Sequence, residues 1–302
     1  MGIKILSTGS YLPDKIVSNF DMEKLFDTSD EWITKRTGIK TRRYVDNETN
    51  SELAINAVKK ALKNIDTTKI TAIITATFTP DSIMPNISSI IHKYFNLQEK
   101  IFSVDINMAC SGFCGAIKIA ENSINIGEYA IIIGTETISK HLNMNDRSTA
   151  ILFGDGAGCI VIEKTPETTF YDYGVLPDNN DLIMKNNNFI TMNGANVFKF
   201  ATKQIPITIQ NLLNKSNLNL NDIDYFILHQ ANERILQNVA KQLNVCENKF
   251  YNNIPTVANT SAASIPIVID EMNDKNLIKK DNNIILVGFG AGLIYCSTLL
   301  KW

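Results

Sequence analysis

Three residues of the sequence could carry out chemistry together: Cys110, His229 and Asn259. The cysteine lies in "NMACSGF", the histidine in "HQANERIL" and the asparagine in "NTSAASIP". A thiolate attacks carbonyl carbons, an imidazole holds or moves a proton, and an amide donates hydrogen bonds. These residue types therefore suit nucleophilic catalysis, provided that the fold brings them to one place.

Cys110 lies between a predicted strand and a predicted helix. The alternation of Val104, Ile106 and Met108 with polar residues indicates a half-buried strand, and apolar residues from Phe113 to Ile124 form one helical face. The free N–H groups and dipole at a helix start favour an anion, which predicts a thiol pKa lowered from about 8.5 by one or more units. The alternative is a small, buried apolar side chain.

His229 follows the apolar segment 225–228, and Asn232 is placed to cap the helix that begins after it. The carboxyl end of a buried strand is where open α/β sheets place catalytic and binding groups. A purely structural histidine is the alternative. Asn259 lies in a loop rich in small polar residues, where an ordinary helix cap is the competing interpretation.

Short strand–loop units recur along the chain. "TAIITATF" resembles "DYFILHQA", "NMACSGF" resembles "VANTSAA" with Ser111 matching Ser261, and "FGDGAGCIVI" resembles "GFGAGLIYCS". The repeated order predicts two similar halves, residues 1–165 with the cysteine and residues 166–302 with the histidine and asparagine. Nearly all-apolar strands alternate with helical patterns, which predicts a layered α/β fold. Across a pseudo-twofold axis, Cys110, His229 and Asn259 would converge.

Composition excludes several classes of function. The chain has 302 residues and a net charge of -2, which argues against a generic nucleic-acid binder. Its apolar runs are shorter than the roughly 18 residues of a membrane span, so no membrane association is expected. Five cysteines without regular spacing suit a reducing, cytoplasmic setting. Cys110 and Cys114 lack a second ligand pair, so no metal site is predicted.

Six motifs together resemble the β-ketoacyl-acyl-carrier-protein synthase III family, and they occur in family order over almost the whole chain: "DTSDEWITKRTGIKTRR", "NMACSGF", "FGDGAG", "HQANERIL", "NTSAASIP" and "GFGAGL". The resemblance implies a thiolase fold, with two duplicated halves in five layers, α-β-α-β-α, and a homodimer. A Cys–His–Asn set is similar to the synthase III and chalcone-synthase branches. Elongating synthases use Cys–His–His, and thiolases use a second cysteine.

The resemblance also implies the reaction. Cys110 would take an acyl group from an acyl-CoA primer, with an oxyanion held by the backbone N–H groups of Cys110 and Ala291. Malonyl-acyl-carrier protein would then lose carbon dioxide while His229 and Asn259 bond the enolate oxygen. The carbanion would attack the acyl-enzyme and start a fatty acid. No metal or redox cofactor is expected, because coenzyme A enters as part of the substrate.

Matching positions imply the binding residues. Trp32, Arg36 and Arg147 would hold coenzyme A by stacking and phosphate contacts, the alternative being a packed aromatic and two solvated charges.

Three further positions match the face that receives the acidic carrier protein, with solvated charge as the alternative: Lys199, Arg234 and Lys241. Met84 matches the residue that bounds the acyl pocket across the dimer, and an interface or core filler is its other interpretation.

Some positions depart from the family pattern. The segment from about Thr165 to Thr191 is shorter than usual, Ala195 replaces a frequent asparagine and Tyr295 a frequent tryptophan. These differences leave the identity of the primer open. A condensing enzyme or acyltransferase of specialised, polyketide-type metabolism is one alternative, and a catalytically silent partner subunit is another. The presence of Cys110, His229 and Asn259 argues against the silent subunit.

Overall fold

The computed structural model describes residues 1–177, 180–184 and 189–302. The elements of the first half are β1 Gly2–Tyr11, β2 Lys15–Ser18, α1 Asn19–Glu23, α2 Asp30–Thr37, β3 Thr41–Tyr44, α3 Asn50–Ala61, β4 Ile70–Ala76, α4 Ile87–Tyr94, β5 Phe102–Ile106, α5 Gly112–Ser123, β6 Tyr129–Glu136, α6 Arg147–Ala150 and β7 Gly156–Thr165. Those of the second half are β8 Phe170–Val175, β9 Leu182–Ile183, β10 Thr191–Met192, α7 Gly194–Ser216, β11 Tyr225–Leu228, α8 Glu233–Leu243, α9 Ile254–Val257, α10 Ser264–Asp274, β12 Asn283–Gly290 and β13 Ile294–Lys301.

Two sheets share one topology. The first has the order β1-β7-β6-β4-β5, and the second has β8-β13-β12-β11, which is the same order without the last strand. Parallel and antiparallel pairings correspond strand by strand. A parallel bridge between Phe226 and Phe250 stands where the fifth strand would continue the second sheet. The predicted duplication of an α/β unit is therefore confirmed, while the boundary between the halves at residue 165 stays a prediction.

The layers follow from how the helices pack. Helices α5 and α10 lie between the sheets, because α5 contacts β4, β6 and β12, and α10 contacts β7, β1 and β11. Helices α3 and α4 cover the outer face of the first sheet, and α7 and α8 pack outside the second. These are the five α-β-α-β-α layers that the family resemblance implied. In the described part of the chain, every helix is too short or too polar to cross a bilayer.

The two turns that precede the central helices are equivalent. Each is a 3₁₀ turn whose first residue, Ala109 or Ser261, has a positive φ of 45° or 50°. The N–H of Ala109 donates to Oδ1 of Asn107 (3.1 Å), and that of Ser261 donates to Oδ1 of Asn259 (2.8 Å). Asn259 thus corresponds to Asn107. Matching Ser111 with Ser261 would instead pair Asn259 with Ala109, the residue before Cys110. The sequence match of Ser111 with Ser261 was wrong by two positions, because small residues fill both turns.

Candidate active site

Cys110, His229 and Asn259 line one cavity between the two halves, so the structure brings the three predicted residues together. Each is almost fully buried, with exposed fractions of 6%, 1% and 6%. Apolar side chains form much of the remaining wall, including Phe153, Val197 and Phe289. The cavity thus surrounds a few polar groups with an apolar lining, as small-molecule sites commonly do.

Cys110 lies in the turn directly before α5, where the strand and helix patterns had placed it. The end of β12 packs against it so closely that a Cβ at Gly290 would lie 2.9 Å from the Cys110 nitrogen and 3.0 Å from its Cβ. Any side chain at Gly290 would displace the cysteine. Gly290, the second glycine of "GFGAGL", is therefore required for this close approach.

The predicted lowering of the Cys110 pKa is wrong for this structure. Burial raises the pKa of the thiol to about 12, and the nearby Glu136 carboxyl adds to the rise. The hydroxyl of Ser261 lies 3.1 Å from Sγ and donates to it, which acts in the opposite direction. The desolvation penalty on a buried thiolate exceeds the stabilisation that the Ser261 hydrogen bond provides. In the free protein, the cysteine is accordingly a thiol at neutral pH.

His229 follows β11 as predicted, and its backbone N–H donates to Val287 O (2.8 Å). Nδ1 lies 2.7 Å from Oγ of Ser264, and that oxygen also accepts the Gln230 N–H at 3.4 Å. When Ser264 donates its hydroxyl proton to Nδ1, the ring proton lies on Nε2. Burial lowers the pKa of His229 to about 3, so the ring is neutral. A neutral Nε2–H is a hydrogen-bond donor for the cavity.

Asn259 is held through its backbone. Its N–H donates to Leu152 O (3.0 Å), and its carbonyl accepts from Gly154 N–H (2.9 Å). Oδ1 accepts the Ser261 N–H, which fixes the orientation of the amide. Nδ2 has no hydrogen-bond partner within residues 1–177, 180–184 and 189–302, so this N–H₂ group remains able to donate to a molecule in the cavity.

A second cavity of about 240 Å³ meets the first at Cys110 and also includes Ala291. Both predicted oxyanion residues thus border the same space. The rest of this lining is largely apolar: Phe78, Phe153, Leu182, Ile183, Met184 and Ile190. Such a lining suits an acyl chain attached to the cysteine.

The three residues assigned to coenzyme A form one cluster. The guanidinium carbons of Arg36 and Arg147 lie 4.9 Å and 4.6 Å from the Trp32 ring centroid. Both arginines are exposed, so their charges face solvent. Asn232, which lines the first cavity, donates to the Arg36 carbonyl (3.1 Å). The cluster therefore lies beside the wall of the cavity that contains Cys110.

The basic residues assigned to the carrier protein are exposed on α7 and α8. Arg234 lies 5.7 Å from the ring of Phe198, a cavity residue that precedes Lys199. Lys241 is seven residues beyond Arg234 and so lies on the same face of α8. The three cations thus share the side of the molecule on which the first cavity is lined by α7 and α8.

Met84 lies outside both cavities, and its exposed fraction is 83%. Within this chain it does not bound the acyl pocket. Its expected role depends on a second copy of the chain and stays a prediction.

Sequence reasoning missed Ser261 and Ser264, which contact Cys110 and His229. Both belong to "NTSAASIP", the motif that supplied Asn259. Because both serines lie within five residues of Asn259, this one motif supplies the asparagine itself and the hydroxyl groups that contact Cys110 and His229.

Comparison with known proteins identifies relatives of the whole chain. The family model described as "3-Oxoacyl-[acyl-carrier-protein (ACP)] synthase III" matches residues 104–175, and that of its C-terminal part matches residues 213–302. Among relatives, the β-ketoacyl-[acyl-carrier-protein] synthase III of Clostridium acetobutylicum is 43% identical, with 99% of this chain and 98% of that protein covered. That of Clostridium tetani is 42% identical, with coverages of 99% and 98%.

Solved structures give the same result. The 3-oxoacyl-[acyl-carrier-protein] synthase III of Aquifex aeolicus VF5 superposes with a TM-score of 0.95 at 35% identity, and both chains are covered completely. The priming β-ketosynthase of the R1128 polyketide biosynthetic pathway has a TM-score of 0.92 at 28% identity, with coverages of 99% and 96%.

Proposed function

Because the chain belongs to the β-ketoacyl-acyl-carrier-protein synthase III family, we propose that Cys110, His229 and Asn259 carry out its condensation reaction. The protein is a thiolase-fold acyltransferase of the condensing-enzyme class that initiates fatty-acid synthesis. The observation that carries the residue assignment is the convergence of a thiol, a neutral imidazole and an amide on one cavity.

The first half-reaction transfers an acyl group to the cysteine. Sγ of Cys110 attacks the acyl-CoA thioester carbon, the Cys–acyl bond forms, and the bond to the coenzyme sulfur breaks. The proton of the thiol ends on the departing coenzyme A. Negative charge on the carbonyl oxygen is stabilised by the backbone N–H groups of Cys110 and Ala291, each worth about 3 kcal/mol in such sites.

The second half-reaction forms the carbon–carbon bond. Malonyl-acyl-carrier protein loses carbon dioxide, and the electron pair of the broken bond passes into an enolate. Nε2–H of His229 and Nδ2–H of Asn259 donate to the enolate oxygen as its charge develops. The enolate carbon then attacks the acyl-cysteine, releases β-ketoacyl-acyl-carrier protein, and Cys110 recovers a proton.

Binding of the two substrates uses opposite charges. Trp32 stacks on the adenine while Arg36 and Arg147 meet the phosphates of coenzyme A. Lys199, Arg234 and Lys241 receive the acidic carrier protein beside α7 and α8. We also propose that the protein is a cytoplasmic homodimer in which Met84 of each subunit bounds the acyl pocket of the other.

A specialised-metabolism role is the second candidate, because the apolar cavity at Cys110 has room for a primer larger than acetyl. The similarity to a polyketide priming β-ketosynthase supports the same possibility. The reaction chemistry is identical in both roles, and only the acyl donor differs.

The test is reconstitution of the condensation. Purified protein is mixed with malonyl-acyl-carrier protein and acetyl-, isobutyryl- or octanoyl-CoA, and β-ketoacyl-acyl-carrier protein is detected by mass spectrometry. Product from acetyl or short branched donors supports initiation of fatty-acid synthesis. Product from octanoyl-CoA alone favours the specialised role. Absence of product from every donor contradicts the proposal.

A further inference from the structure

Arg42 is a buried cation that forms no salt bridge among the described residues, and the charge of Asp21 acts on it from a greater distance. Its side chain on β3 has an exposed fraction of 0%, and burial lowers the pKa of its guanidinium. Its hydrogen bonds go to neutral oxygens, namely Val17 O (3.3 Å), Asn19 Oδ1 (2.8 Å) and Ile151 O (3.0 Å), while Nε has no partner. Burying a charge without a counterion is costly, so a function for this arrangement is worth seeking.

One of these bonds leads to the helix that carries the coenzyme cluster. Asn19, which accepts from Arg42, uses its own Nδ2 to donate to Ile39 O (2.7 Å) and to Oδ1 of Asp30 (2.9 Å). Asp30 is the first residue of α2, and Ile39 lies just beyond its end. Asn19, whose amide oxygen is held by Arg42, therefore contacts both ends of the helix that presents Trp32 and Arg36.

A second bond leads to the catalytic amide. Ile151 directly follows α6, the helix that begins with Arg147. The next residue, Leu152, accepts the backbone N–H of Asn259, and Gly154 donates to the Asn259 carbonyl. By holding Ile151, the guanidinium fixes the segment that sets the position of Asn259 in the cavity.

We propose that Arg42 is a positioning residue that joins the coenzyme cluster of Trp32, Arg36 and Arg147 to the catalytic amide of Asn259. We call the contact through Asn19 to α2 and the contact through Ile151 to Asn259 the two branches. A single planar guanidinium makes both contacts at once, and a lysine ammonium on a flexible chain does not reproduce this. The inference rests on the proposed function, since it concerns how that site is assembled. It assigns a role in both half-reactions to a residue that reaches neither substrate.

The test compares Arg42→Lys with Arg43→Lys. Arg43 is the next residue on β3, but its guanidinium donates to Pro13 O (3.0 Å), away from both branches. Two quantities are measured for each variant: KM for acyl-CoA in acylation of Cys110, and the rate of carbon dioxide release by the acylated enzyme. Arg42→Lys is expected to raise KM and to slow decarboxylation, each about tenfold or more, because small misplacements are costly in catalysis. Arg43→Lys is expected to change neither.

Asn19→Asp changes only the contacts that lead from Arg42 to α2. The carboxylate still accepts from Arg42 but cannot donate to Ile39 or Asp30. We expect a raised KM for acyl-CoA with an unchanged rate of decarboxylation. An unchanged KM would contradict the α2 branch.

Other outcomes are equally informative. If Arg42→Lys lowers only the melting temperature and matches Arg43→Lys in both measurements, the residue is merely structural and the inference is overturned. If the wild-type protein neither takes an acyl group nor decarboxylates, the proposed function fails and the inference fails with it. An active wild type with an unaffected Arg42→Lys variant overturns the inference alone.

Discussion

The hydroxyl oxygen of Ser264 lies 2.7 Å from Nδ1 of His229 and is placed to select which ring nitrogen carries the proton. The oxygen also accepts the Gln230 N–H at 3.4 Å, and its own proton is available to Nδ1. The imidazole, neutral because burial lowers its pKa to about 3, then presents Nε2–H to the cavity. In the proposed reaction, this Nε2–H donates to the enolate oxygen.

Ser264→Ala should slow decarboxylation by the acylated enzyme about tenfold, because without the hydroxyl Nδ1 loses its donor and the other tautomer gains population. Acylation of Cys110 should change little. The two steps are measured separately, by carbon dioxide release and by protein mass. Ser264→Thr, which keeps the hydroxyl, is the matched control. Equal decarboxylation rates in the Ala variant and the wild type would refute the tautomer assignment.

Asn259→Asp should reduce decarboxylation about 100-fold, since the variant replaces a donor to the enolate oxygen with an acceptor of like charge. Acylation by acyl-CoA should remain measurable. The same two assays apply, and Asn214→Asp on the exposed face of α7 controls for the added charge. Loss of acylation together with decarboxylation would show that Asn259 acts in both steps.

Arg147→Ala should raise KM for acyl-CoA about tenfold and leave kcat unchanged, because a phosphate contact contributes equally to the ground state and the transition state. Steady-state kinetics with varied acyl-CoA measure both constants. Lys35→Ala, an exposed cation on the same helix as Trp32 and Arg36, is the control. An unchanged KM and kcat would place Arg147 outside the coenzyme site.

Glu136 should make folding stability fall as pH rises. Burial raises the pKa of this carboxyl from 4.5 to about 8, despite hydrogen bonds from Thr77, Thr79 and the Phe78 N–H. Between these pH values the folded state retains a proton that the unfolded state has released, so stability decreases with increasing pH.

His229 has the opposite sign, and its unfolded-state pKa of 6.5 still opposes the trend near pH 6.5, so Glu136 is measured by the difference between the wild type and Glu136→Gln from pH 6.5 to 8. Denaturant unfolding across this range should show a loss of stability in the wild type and a flatter profile in Glu136→Gln. A profile of equal slope in both proteins would contradict the raised pKa.

Much of the fold was predictable because its signals are local. Apolar periodicity and side-chain chemistry predict three local features: the strand at residues 225–228, the cap at Asn232 and the buried helical face after Cys110. Each occurs where predicted. The repeated motifs also led correctly to two similar halves. The prediction that Cys110, His229 and Asn259 converge was based on this duplication.

Other features depended on tertiary contacts. The correspondence of Asn259 with Asn107 rests on two positive-φ turns that small residues do not distinguish in sequence. The pKa of Cys110 depends on how fully Gly290 and the surrounding elements exclude water, which overrides the effect of a helix start. The Arg42 contacts join β2, α1 and the end of α6, so no sequence window contains them.

The most direct test of the central claim is the intact mass of the protein after mixing with acetyl-CoA and longer acyl-CoAs. The wild type should gain one acyl group, and peptide mapping should place it on Cys110. Cys110→Ser should gain none, whereas Cys246→Ser, which alters an exposed cysteine, should behave as the wild type. An acyl group on another residue, or no adduct from any donor, would contradict Cys110 as the nucleophile.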